Sequence, residues 1–340
     1  MTQRLGVGII GLGSIGRTHA RALATFPDEV ELVGAVRTSR EALDELGLTG
    51  ARVFSSAEEL IADPAVDVVV IASPSEQHAD QTVAAIRAGK AAVVEKPIAL
   101  TFEEVERIED ALRENPVFVS VIAQRRFERQ HLELRDLLRS GALGRIVLAE
   151  TFVHWHRDDA YYASAPWRAL APGGGSLMNQ ALHSVDLLDW LVGPFESVTG
   201  YTATLNHDMA AEDSAVVALR LADGGLGVIA STTAIKHGEP AELAIRTTEG
   251  TVTLSGADIV RWDFDGVPQP ETAPAAASGA NDPSAIGIAG HVAQWADILG
   301  ALREGREPLI PARDGLRTAR IIASIYRSAE TGEHVSVKDA

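Results

Sequence analysis

The sequence predicts an α/β protein with two domains, in which a doubly wound parallel sheet is followed by a domain built on a large, mostly antiparallel sheet. The chain has 340 residues, which is long for a single hydrophobic core. Up to about residue 123, short apolar runs alternate with segments of helical period, whereas beyond residue 195 one apolar run follows another directly. These two patterns predict domains at 1–123 and 124–340.

The first domain has six predicted strands separated by amphipathic segments. Because strands that alternate with helices pair in parallel, both faces of this sheet should be covered. The run from Val68 to Ile71 fits such a strand, since it is apolar at every position. The predicted strands are Leu5–Ile10, Val30–Val36, Arg52–Phe54, Val68–Ala72, Ala91–Val94 and Val117–Val121, and the predicted helices are Ser14–Thr25, Ala57–Ala62, Glu76–Ala88 and Phe102–Arg113.

The second domain begins with a helix and an extended segment and ends with two helices. Between Phe195 and Trp262, strand-like runs separated by turn residues indicate a mainly antiparallel sheet. The remaining predicted segments are a helix over Phe127–Ser140, an extended segment over Arg145–His156, a helix over Ser176–Leu191, an exposed loop over Pro268–Pro283, and helices over Ser284–Glu304 and Arg313–Thr331.

The composition limits the partners and the compartment. A formal net charge of −17 argues against nucleic acid or an anionic membrane as a partner, because both attract basic surfaces. The chain has no cysteine, which excludes disulfides, thiolate metal sites and cysteine nucleophiles. The longest run after the N-terminal segment, Val66–Ala72, is apolar except for Asp67 and is too short to span a bilayer. We therefore expect a cytoplasmic protein that binds neither nucleic acid nor membrane.

A glycine-rich turn follows the first predicted strand and opens the first helix. In this turn Gly11 permits the tight bend, Gly13 lets a pyrophosphate approach the backbone, and Gly16 brings helix and strand together. The helix N-terminus, with Ser14 and Ile15, then faces the phosphates. The alternative is a glycine turn that packs an ordinary strand–helix unit. The position of Gly11–Gly16 at the start of the alternating strands and helices favours a dinucleotide site over this alternative.

The end of the second strand indicates which dinucleotide binds. An NAD site places a carboxylate there for the ribose 2′-hydroxyl, but Arg37, Thr38, Ser39 and Arg40 occupy this position, and the first acid is Glu41. Two guanidiniums and two hydroxyls suit a 2′-phosphate. The sequence therefore favours NADP(H), with NAD(H) as the alternative. Ser39 fits equally well as the N-cap of a helix.

Glu95, Lys96 and Pro97 stand at the end of the fifth strand, where ligands of doubly wound sheets bind. Pro97 disfavours helical backbone at Lys96, and a lysine there can hydrogen-bond a substrate hydroxyl and stabilise developing oxygen charge. Taken alone, an ordinary surface Glu–Lys pair at a strand end explains these residues better.

A second group of candidate residues follows the glycines after Pro172. On the predicted helix, Asn179 and His183 are four residues apart and share a face, with Asp186 three residues further on. A histidine is the usual proton carrier when hydride leaves a carbon and a proton leaves its oxygen. A core histidine hydrogen-bonded to Asp186 fits the helix about equally well.

Together these segments resemble the Gfo/Idh/MocA family, which comprises glucose-fructose oxidoreductase, inositol dehydrogenase and their relatives. The likeness extends over nearly the whole chain. It implies a Rossmann domain followed by an α/β domain whose open sheet is often used for oligomer contacts. The segments that carry it are GLGSIGRTHA at Gly11–Ala20, ASPSEQH at Ala72–His78, VEKPIAL at Val94–Leu100 and GGGSLMNQALHSVDLLDWLVGP at Gly173–Pro194.

The resemblance also implies roles for individual residues. The family's lysine and catalytic histidine match Lys96 and His183, whereas the aspartate four residues before the histidine is Asn179 here. Asparagine can orient a neighbour but cannot stabilise imidazolium by charge, which shifts proton handling towards Lys96. The further cofactor-binding candidates are Ser73, Pro74, His78, Glu95 and Pro97, and the further substrate-binding candidates are His156, Tyr162, Trp167 and Arg168.

Packing of a loop explains the segment from Tyr161 to Arg168 equally well. His154 and His156 share a face of an extended segment, but no further ligands accompany them and the family needs no metal, so none is expected.

The sequence therefore predicts reversible hydride transfer between a nicotinamide cofactor and a hydroxyl or ketone carbon of a sugar, polyol or sugar derivative. Lys96 and His183 would handle the hydroxyl proton, with Asn179 orienting them. Two alternatives stay open: redox-assisted modification of a sugar or glycoside with a retained cofactor, and a non-catalytic sensor of dinucleotides or sugars. A homodimer or homotetramer is expected.

Overall fold

The computed structural model describes residues 4–271 and 287–337 and divides into two compact units. Among these residues, the first unit takes in the chain up to Gln124 together with Ile288–Ala319, and the second takes in the rest. Residues 288–319, predicted to lie in the second domain, therefore belong to the first unit.

The first unit is built on six parallel strands with helices on both faces, as predicted. Its strands are β1 (Leu5–Ile10), β2 (Val30–Val36), β3 (Arg52–Phe54), β4 (Val68–Ile71), β5 (Ala91–Val94) and β6 (Val119–Val121). Its helices are α1 (Ser14–Leu23), α2 (Arg40–Glu45), α3 (Ala57–Ala62), α4 (His78–Arg87), α5 (Phe102–Glu114) and, from later in the chain, α9 (Ala289–Glu304). The strand order is β3-β2-β1-β4-β5-β6.

Strand β4 shows how both faces of this sheet are buried. Val68 and Val70 belong to one hydrophobic cluster, and Val69 and Ile71 belong to the cluster on the opposite face. This arrangement explains why the strand is apolar at every position. The first cluster also contains Trp295 of α9, which is fully buried. The packing of α9 on this sheet assigns the helix to the first unit, although it follows the second domain in sequence.

The second unit contains the predicted, mainly antiparallel sheet. Its strands are β7 (Ile146–His154), β8 (Phe195–Ala203), β9 (Ser214–Leu221), β10 (Leu226–Thr232), β11 (Glu242–Thr247), β12 (Gly250–Ser255), β13 (Asp258–Phe264) and β14 (Val335–Ser336). Its helices are α6 (Arg129–Arg139), α7 (Asp159–Ala163), α8 (Leu182–Val192) and the part of α10 (Ala312–Thr331) from Arg320 onwards. The order is β13-β12-β11-β7-β10-β9-β8-β14, and β7 and β10 form a parallel pair.

One face of this sheet is covered, and the other is left open by the described residues of the unit. On β9, buried positions such as Val217 alternate with exposed ones such as Val216. Val216 pairs with Tyr201 of β8 and with Ala230 of β10, so these residues share the open face with Leu226. Tyr201, Val216 and Leu226 are 76%, 57% and 51% exposed. The open face therefore presents a group of large apolar side chains.

Part of the C-terminal prediction lies outside the described residues. This holds for most of the predicted Pro268–Pro283 loop and for the first residues of the predicted Ser284–Glu304 helix. No helix within the described ranges has the length and apolar character needed to cross a bilayer.

Candidate functional site

The first unit gathers the predicted cofactor-binding residues at one edge of its sheet. They follow β2, β1, β4 and β5, which are neighbours in the strand order. Parallel strands end at the same edge, and ligands of doubly wound sheets bind there. The four segments are Gly11–Gly16 after β1, Arg37–Arg40 after β2, Ser73–His78 after β4 and Glu95–Pro97 after β5.

The turn between β1 and α1 leaves room for a ligand in front of the helix. Gly11 adopts a left-handed φ of 93°. At Gly16 an added Cβ would lie 2.0 Å from the carbonyl oxygen of Gly11, so α1 approaches β1 closely. By contrast, a Cβ at Gly13 would have no described atom within 4 Å. The first turn of α1 has no acidic residue, and its free backbone N–H groups suit a pyrophosphate.

Arg37 is the group at the end of β2 that remains available to a ligand. It is exposed, has a left-handed φ of 54° and has no ion-pair partner among the described residues. Ser39 acts as the N-cap of α2, since its hydroxyl accepts a hydrogen bond from the Ala42 amide at 3.2 Å. Arg40 Nη1 donates to the carbonyl of Thr49 at 3.2 Å.

His78, which was predicted to bind cofactor, is buried and contacts backbone carbonyl oxygens through both ring nitrogens. It is 1% exposed. Its Nδ1 lies 2.7 Å from the Pro97 carbonyl oxygen and its Nε2 lies 2.8 Å from the Ser73 carbonyl oxygen. Both ring nitrogens are thereby engaged. His78 thus connects the segment after β4 to the segment after β5 and helps to fix their relative position.

The segment after β5 places a buried carboxylate next to a half-buried lysine. Glu95 is 5% exposed, and the backbone amide of Lys96 donates to its Oε2 at 3.1 Å. Because Glu95 is buried, the alternative of an ordinary surface Glu–Lys pair does not fit the structure. Loss of hydration lowers the pKa of the Lys96 ammonium, and the charge of Glu95 opposes this by raising it. A lysine with a lowered pKa exchanges protons more readily near neutral pH.

In the second unit, the predicted helix over Ser176–Leu191 begins as a π-helical turn. This turn spans Ser176–Ala181 and continues into α8. A π-helical turn holds more residues than an α-helical turn, so Asn179 and His183 do not have the purely α-helical spacing that was predicted. Such turns occur often at functional sites.

Glu212 anchors the start of this turn. The Leu177 amide donates to Glu212 Oε1 at 2.7 Å, and the Ser176 amide donates to the Glu212 carbonyl at 3.0 Å. An added Cβ at Gly175 would lie 2.2 Å from Glu212 Oε2. The absence of a side chain at Gly175 therefore leaves the space that the Glu212 carboxylate occupies. No sequence motif marks Glu212.

Tyr161 forms a polar group with Asn179. Its hydroxyl accepts hydrogen bonds from Asn179 Nδ2 at 3.3 Å and from Gln180 Nε2 at 2.7 Å. The guanidinium carbons of Arg168 and Arg157 lie 4.1 Å and 5.2 Å from the centre of the Tyr161 ring. Arg168 Nη1 also donates to the Tyr161 carbonyl at 2.9 Å. The side-chain amides of Asn179 and Gln180 thus contact the hydroxyl of Tyr161, and two guanidiniums lie over its ring.

Tyr162, the tyrosine chosen from the sequence, points into the protein. It is buried, and its hydroxyl lies 2.8 Å from Thr233 Oγ1. Adjacent residues on a helix point roughly 100° apart, and composition does not tell which one faces a site. Asp158 is the sequence feature that could have shown which tyrosine points inward. Its side chain accepts a hydrogen bond from the Tyr161 amide and acts as the N-cap of α7. The cap fixes where α7 starts and therefore the direction of each tyrosine.

The remaining candidates of the second unit have separate contacts. His183 is half-buried in the first turn of α8. His156 Nδ1 lies 2.7 Å from the Ile235 carbonyl oxygen, and Trp167 is half-buried on a short 3₁₀ turn. Asp186 accepts two hydrogen bonds from Arg126, Nε to Oδ2 at 2.9 Å and Nη2 to Oδ1 at 2.5 Å.

Replacing Gly13 with alanine should weaken dinucleotide binding by about tenfold, or ~1.4 kcal/mol, without changing the melting temperature. The added methyl meets no described protein atom but obstructs the approach to the helix N-terminus. Gly16→Ala is the matched control, because its methyl collides with backbone and should lower the melting temperature. Fluorescence titration with reduced dinucleotide and thermal melts measure both effects. Wild-type affinity in Gly13→Ala would contradict the placement of the phosphates.

Replacing Glu212 with glutamine should stabilise the protein at alkaline pH relative to the wild type. Burial raises the pKa of Glu212 from 4.5 to about 7, although hydrogen bonds from Leu177, Tyr326 and other groups lower it. Because the folded-state pKa is the higher one, wild-type stability falls as pH rises from about 4.5 to 7. Glutamine should remove this loss, on the order of 2–3 kcal/mol in the free energy of unfolding.

Denaturant unfolding of both proteins between pH 5 and pH 8 measures this difference. Glu196→Gln, at an exposed position of β8, is the control for the loss of one negative charge. A constant difference between Glu212→Gln and wild type across this range would refute the account.

Comparison with known proteins agrees with the predicted fold class and family. The GFO/IDH/MocA family model, described as "Oxidoreductase family, NAD-binding Rossmann fold", matches residues 5–123, and that family's C-terminal domain model matches residues 131–253. Inositol 2-dehydrogenase 2 of Saccharopolyspora erythraea is 35% identical over 56% of this chain, and the match spans 54% of that enzyme. The rhizopine catabolism protein MocA of Rhizobium meliloti is 31% identical over 66% of this chain and 70% of its own length.

A solved structure covers nearly the whole chain. The WlbA dehydrogenase from Bordetella pertussis, in complex with NADH and UDP-GlcNAcA, is 34% identical, with a TM-score of 0.87 over 98% of this chain and 99% of its own. The chain therefore belongs to the GFO/IDH/MocA family of oxidoreductases, and its first unit is the NAD-binding Rossmann domain of that family.

Proposed function

We propose that the protein catalyses reversible hydride transfer between a nicotinamide dinucleotide and a hydroxyl or ketone carbon of a sugar, polyol or sugar derivative. The observation that carries this proposal is the edge of the first unit, where the open approach at Gly13 lies at the same sheet edge as Lys96. The names of the relatives, an inositol dehydrogenase and the WlbA dehydrogenase among them, support the reaction class. When bound, the nicotinamide accepts or supplies the hydride.

The substrate oxygen exchanges a proton while its carbon exchanges hydride, and we assign this proton to Lys96 and His183. In oxidation, a neutral Lys96 takes the hydroxyl proton, and in reduction its ammonium returns it. The lowered pKa of Lys96 favours this exchange. His183 is the second proton carrier, and Asn179 orients the reacting groups.

Tyr161 adds a hydroxyl to this set. A phenol oxygen has two lone pairs and one hydrogen, and the amides of Asn179 and Gln180 both donate to it. Its own hydrogen is therefore directed away from both amides. The guanidiniums of Arg157 and Arg168 lie over the ring of Tyr161 and help to hold it in place. Tyr161 thus suits donation of a hydrogen bond to a substrate oxygen.

We further propose that Arg37 gives the site its preference for NADP(H). Its exposed guanidinium has no ion-pair partner among the described residues and can bind a 2′-phosphate through two hydrogen bonds. The WlbA complex contains NADH, and NAD(H) is the alternative cofactor.

A second candidate substrate is an anionic sugar derivative. Arg157 and Arg168 place two cations beside Tyr161, and cations favour an anionic ligand. The WlbA complex contains UDP-GlcNAcA. A substrate screen should therefore include sugar acids and nucleotide-linked sugar acids beside neutral polyols.

We also propose that the chain forms a homodimer or homotetramer through the open face of the second sheet. Tyr201, Val216 and Leu226 expose apolar surface together on this face, and such a patch favours association.

Replacing Lys96 with alanine should lower turnover by about a hundredfold or more and leave dinucleotide affinity within about threefold of wild type. Lys90→Ala is the control, because its ammonium donates to the carbonyls of Asp63 and Val66. Dinucleotide reduction is followed at 340 nm with a panel of polyols, sugars and sugar acids. Unchanged turnover would remove Lys96 from the mechanism.

The same assay separates the alternative functions. Product formation without net change in dinucleotide, by protein that purifies with cofactor bound, would indicate redox-assisted modification. Dinucleotide binding without turnover of any substrate in the panel would favour a sensor.

Replacing Arg37 with aspartate should weaken NADPH binding by about tenfold and leave NADH binding nearly unchanged. Arg40→Asp should have the smaller effect, because the guanidinium of Arg40 is engaged by Thr49. Fluorescence titration of each protein with both dinucleotides tests this. Wild-type protein that binds NADH at least as tightly as NADPH would identify the site as one for NAD(H).

Replacing Tyr161 with phenylalanine should lower turnover by about tenfold or more. Tyr162→Phe offers a matched control, since it removes a hydroxyl that contacts Thr233, and should cost about 1 kcal/mol of stability with turnover retained. Steady-state rates and thermal melts of both variants decide the assignment. Equal turnover in the two variants would exclude Tyr161 from the reaction.

A further inference from the structure

Four buried side chains of the first unit form a connected group behind Lys96. They are His19 of α1, Glu95 after β5, and His291 and Trp295 of α9, and their exposures are 0%, 5%, 2% and 0%. His19 Nε2 lies 3.0 Å from Glu95 Oε1, and Trp295 Nε1 donates to His19 Nδ1 at 3.0 Å. The group thus joins three elements that are distant in sequence.

Trp295 determines which nitrogen of His19 carries a proton. An indole N–H can only donate, so His19 Nδ1 must accept, and His19 Nε2–H must donate to the Glu95 carboxylate. Burial alone would raise the pKa of Glu95, but the imidazoles of His19 and His291 outweigh it and hold that pKa well below its usual range. Glu95 is therefore ionised.

The same residues have the spacing of a metal site, since one ligand atom from each of His19, Glu95 and His291 lies within 4.8 Å of the others. A metal ion would need the lone pair of His19 Nε2, but this nitrogen carries its proton while Trp295 donates to Nδ1. His291 stands edge-on to His19 at 5.4 Å between ring centres, and its Nε2 lies 3.6 Å from Glu95 Oε1. This arrangement of protons favours a role of the group in supporting the charge of Glu95 over metal binding.

We propose that His19 and Trp295 are positioning residues for Lys96. They hold the ionised carboxylate of Glu95, which in turn fixes the backbone amide of Lys96 and supplies the negative charge beside its ammonium. The proposal rests on the proposed function only for the role of Lys96 in the reaction. The charged and titratable groups that face Glu95 are His19 from α1, His291 from α9 and the adjacent Lys96.

Loss of the His19 N–H should change the charge at Lys96. Glu95 then keeps only His291, the Lys96 amide and the Lys96 ammonium as partners, so burial weighs more heavily and its carboxylate should take up a proton more readily. Lys96 loses its counter-charge and should release its proton at lower pH. A purely structural role for His19 would affect folding but not the titration of Lys96.

Nuclear magnetic resonance of lysine side chains tests this directly. The chain has four lysines, Lys90, Lys96, Lys236 and Lys338, so full-length protein labelled with [ε-¹³C]lysine gives few signals, and Lys96→Arg identifies that of Lys96. Glu95→Gln should lower the pKa of Lys96 by about one unit or more. His19→Leu should act in the same direction. Trp295→Phe should have a smaller effect, and His19→Gln, which retains an N–H donor, should restore most of the wild-type titration.

Gln294→Ala is the matched control on α9. Its side chain accepts from the Ala123 amide and donates to the Val121 carbonyl, so its loss should destabilise the same helix without moving the titration of Lys96. The signals of Lys90 and Lys236 report whether each variant is folded. A Lys96 titration that is the same in wild type, Glu95→Gln and His19→Leu would overturn the proposal. So would stoichiometric Zn²⁺ binding that is lost in His291→Ala. Because the titration needs no turnover, failure of the proposed hydride transfer would leave this result intact.

Discussion

A buried carboxylate needs hydrogen-bond or charged partners. The partners of Glu95 connect α1, α9 and the segment after β5 in the first unit. His19 donates to Glu95 from α1, the helix that begins at the glycine turn. Trp295 donates to His19 from α9. Removing one partner of a buried ion pair typically costs about 3–5 kcal/mol. The same contacts therefore position both α1 and Lys96, and explain why a helix near the end of the chain packs in the first unit.

The second unit uses a buried carboxylate in the opposite way. Glu212 holds the start of the π-helical turn that carries Asn179, but burial raises its pKa to about 7. Both carboxylates accept from a backbone amide, but Glu95 also has the imidazoles of His19 and His291 beside it, whereas Glu212 has the hydroxyl of Tyr326. The two environments make Glu95 a fixed charge and leave Glu212 able to exchange a proton near neutral pH. The pKa of about 7 at Glu212 therefore makes the anchoring of the Asn179 segment sensitive to pH near neutrality.

Local sequence patterns were sufficient to predict much of the fold. They also predicted which segments lie at the carboxyl-terminal edge of the parallel sheet. Apolar runs gave the strands of the parallel sheet within a few residues, and glycine spacing located the turn after β1, because these features depend on nearby residues. The placement of α9 was not predictable in this way, since helical period does not tell which sheet a helix covers. The π-helical turn depends on Glu212, more than thirty residues away. His78 and Tyr162 were predicted from the resemblance to the family, but the orientations of their side chains depend on tertiary contacts.

Transfer of deuterium tests the central claim most directly. Reduced dinucleotide carrying deuterium at the nicotinamide C4 position would be incubated with the protein and the ketone forms of inositols, sugars and sugar acids, and the products analysed by mass spectrometry and magnetic resonance. The account predicts one deuterium on the carbon that becomes a carbinol, with stoichiometric oxidation of the dinucleotide. Tight binding of the dinucleotide with no deuterium in any product would contradict a role in hydride transfer.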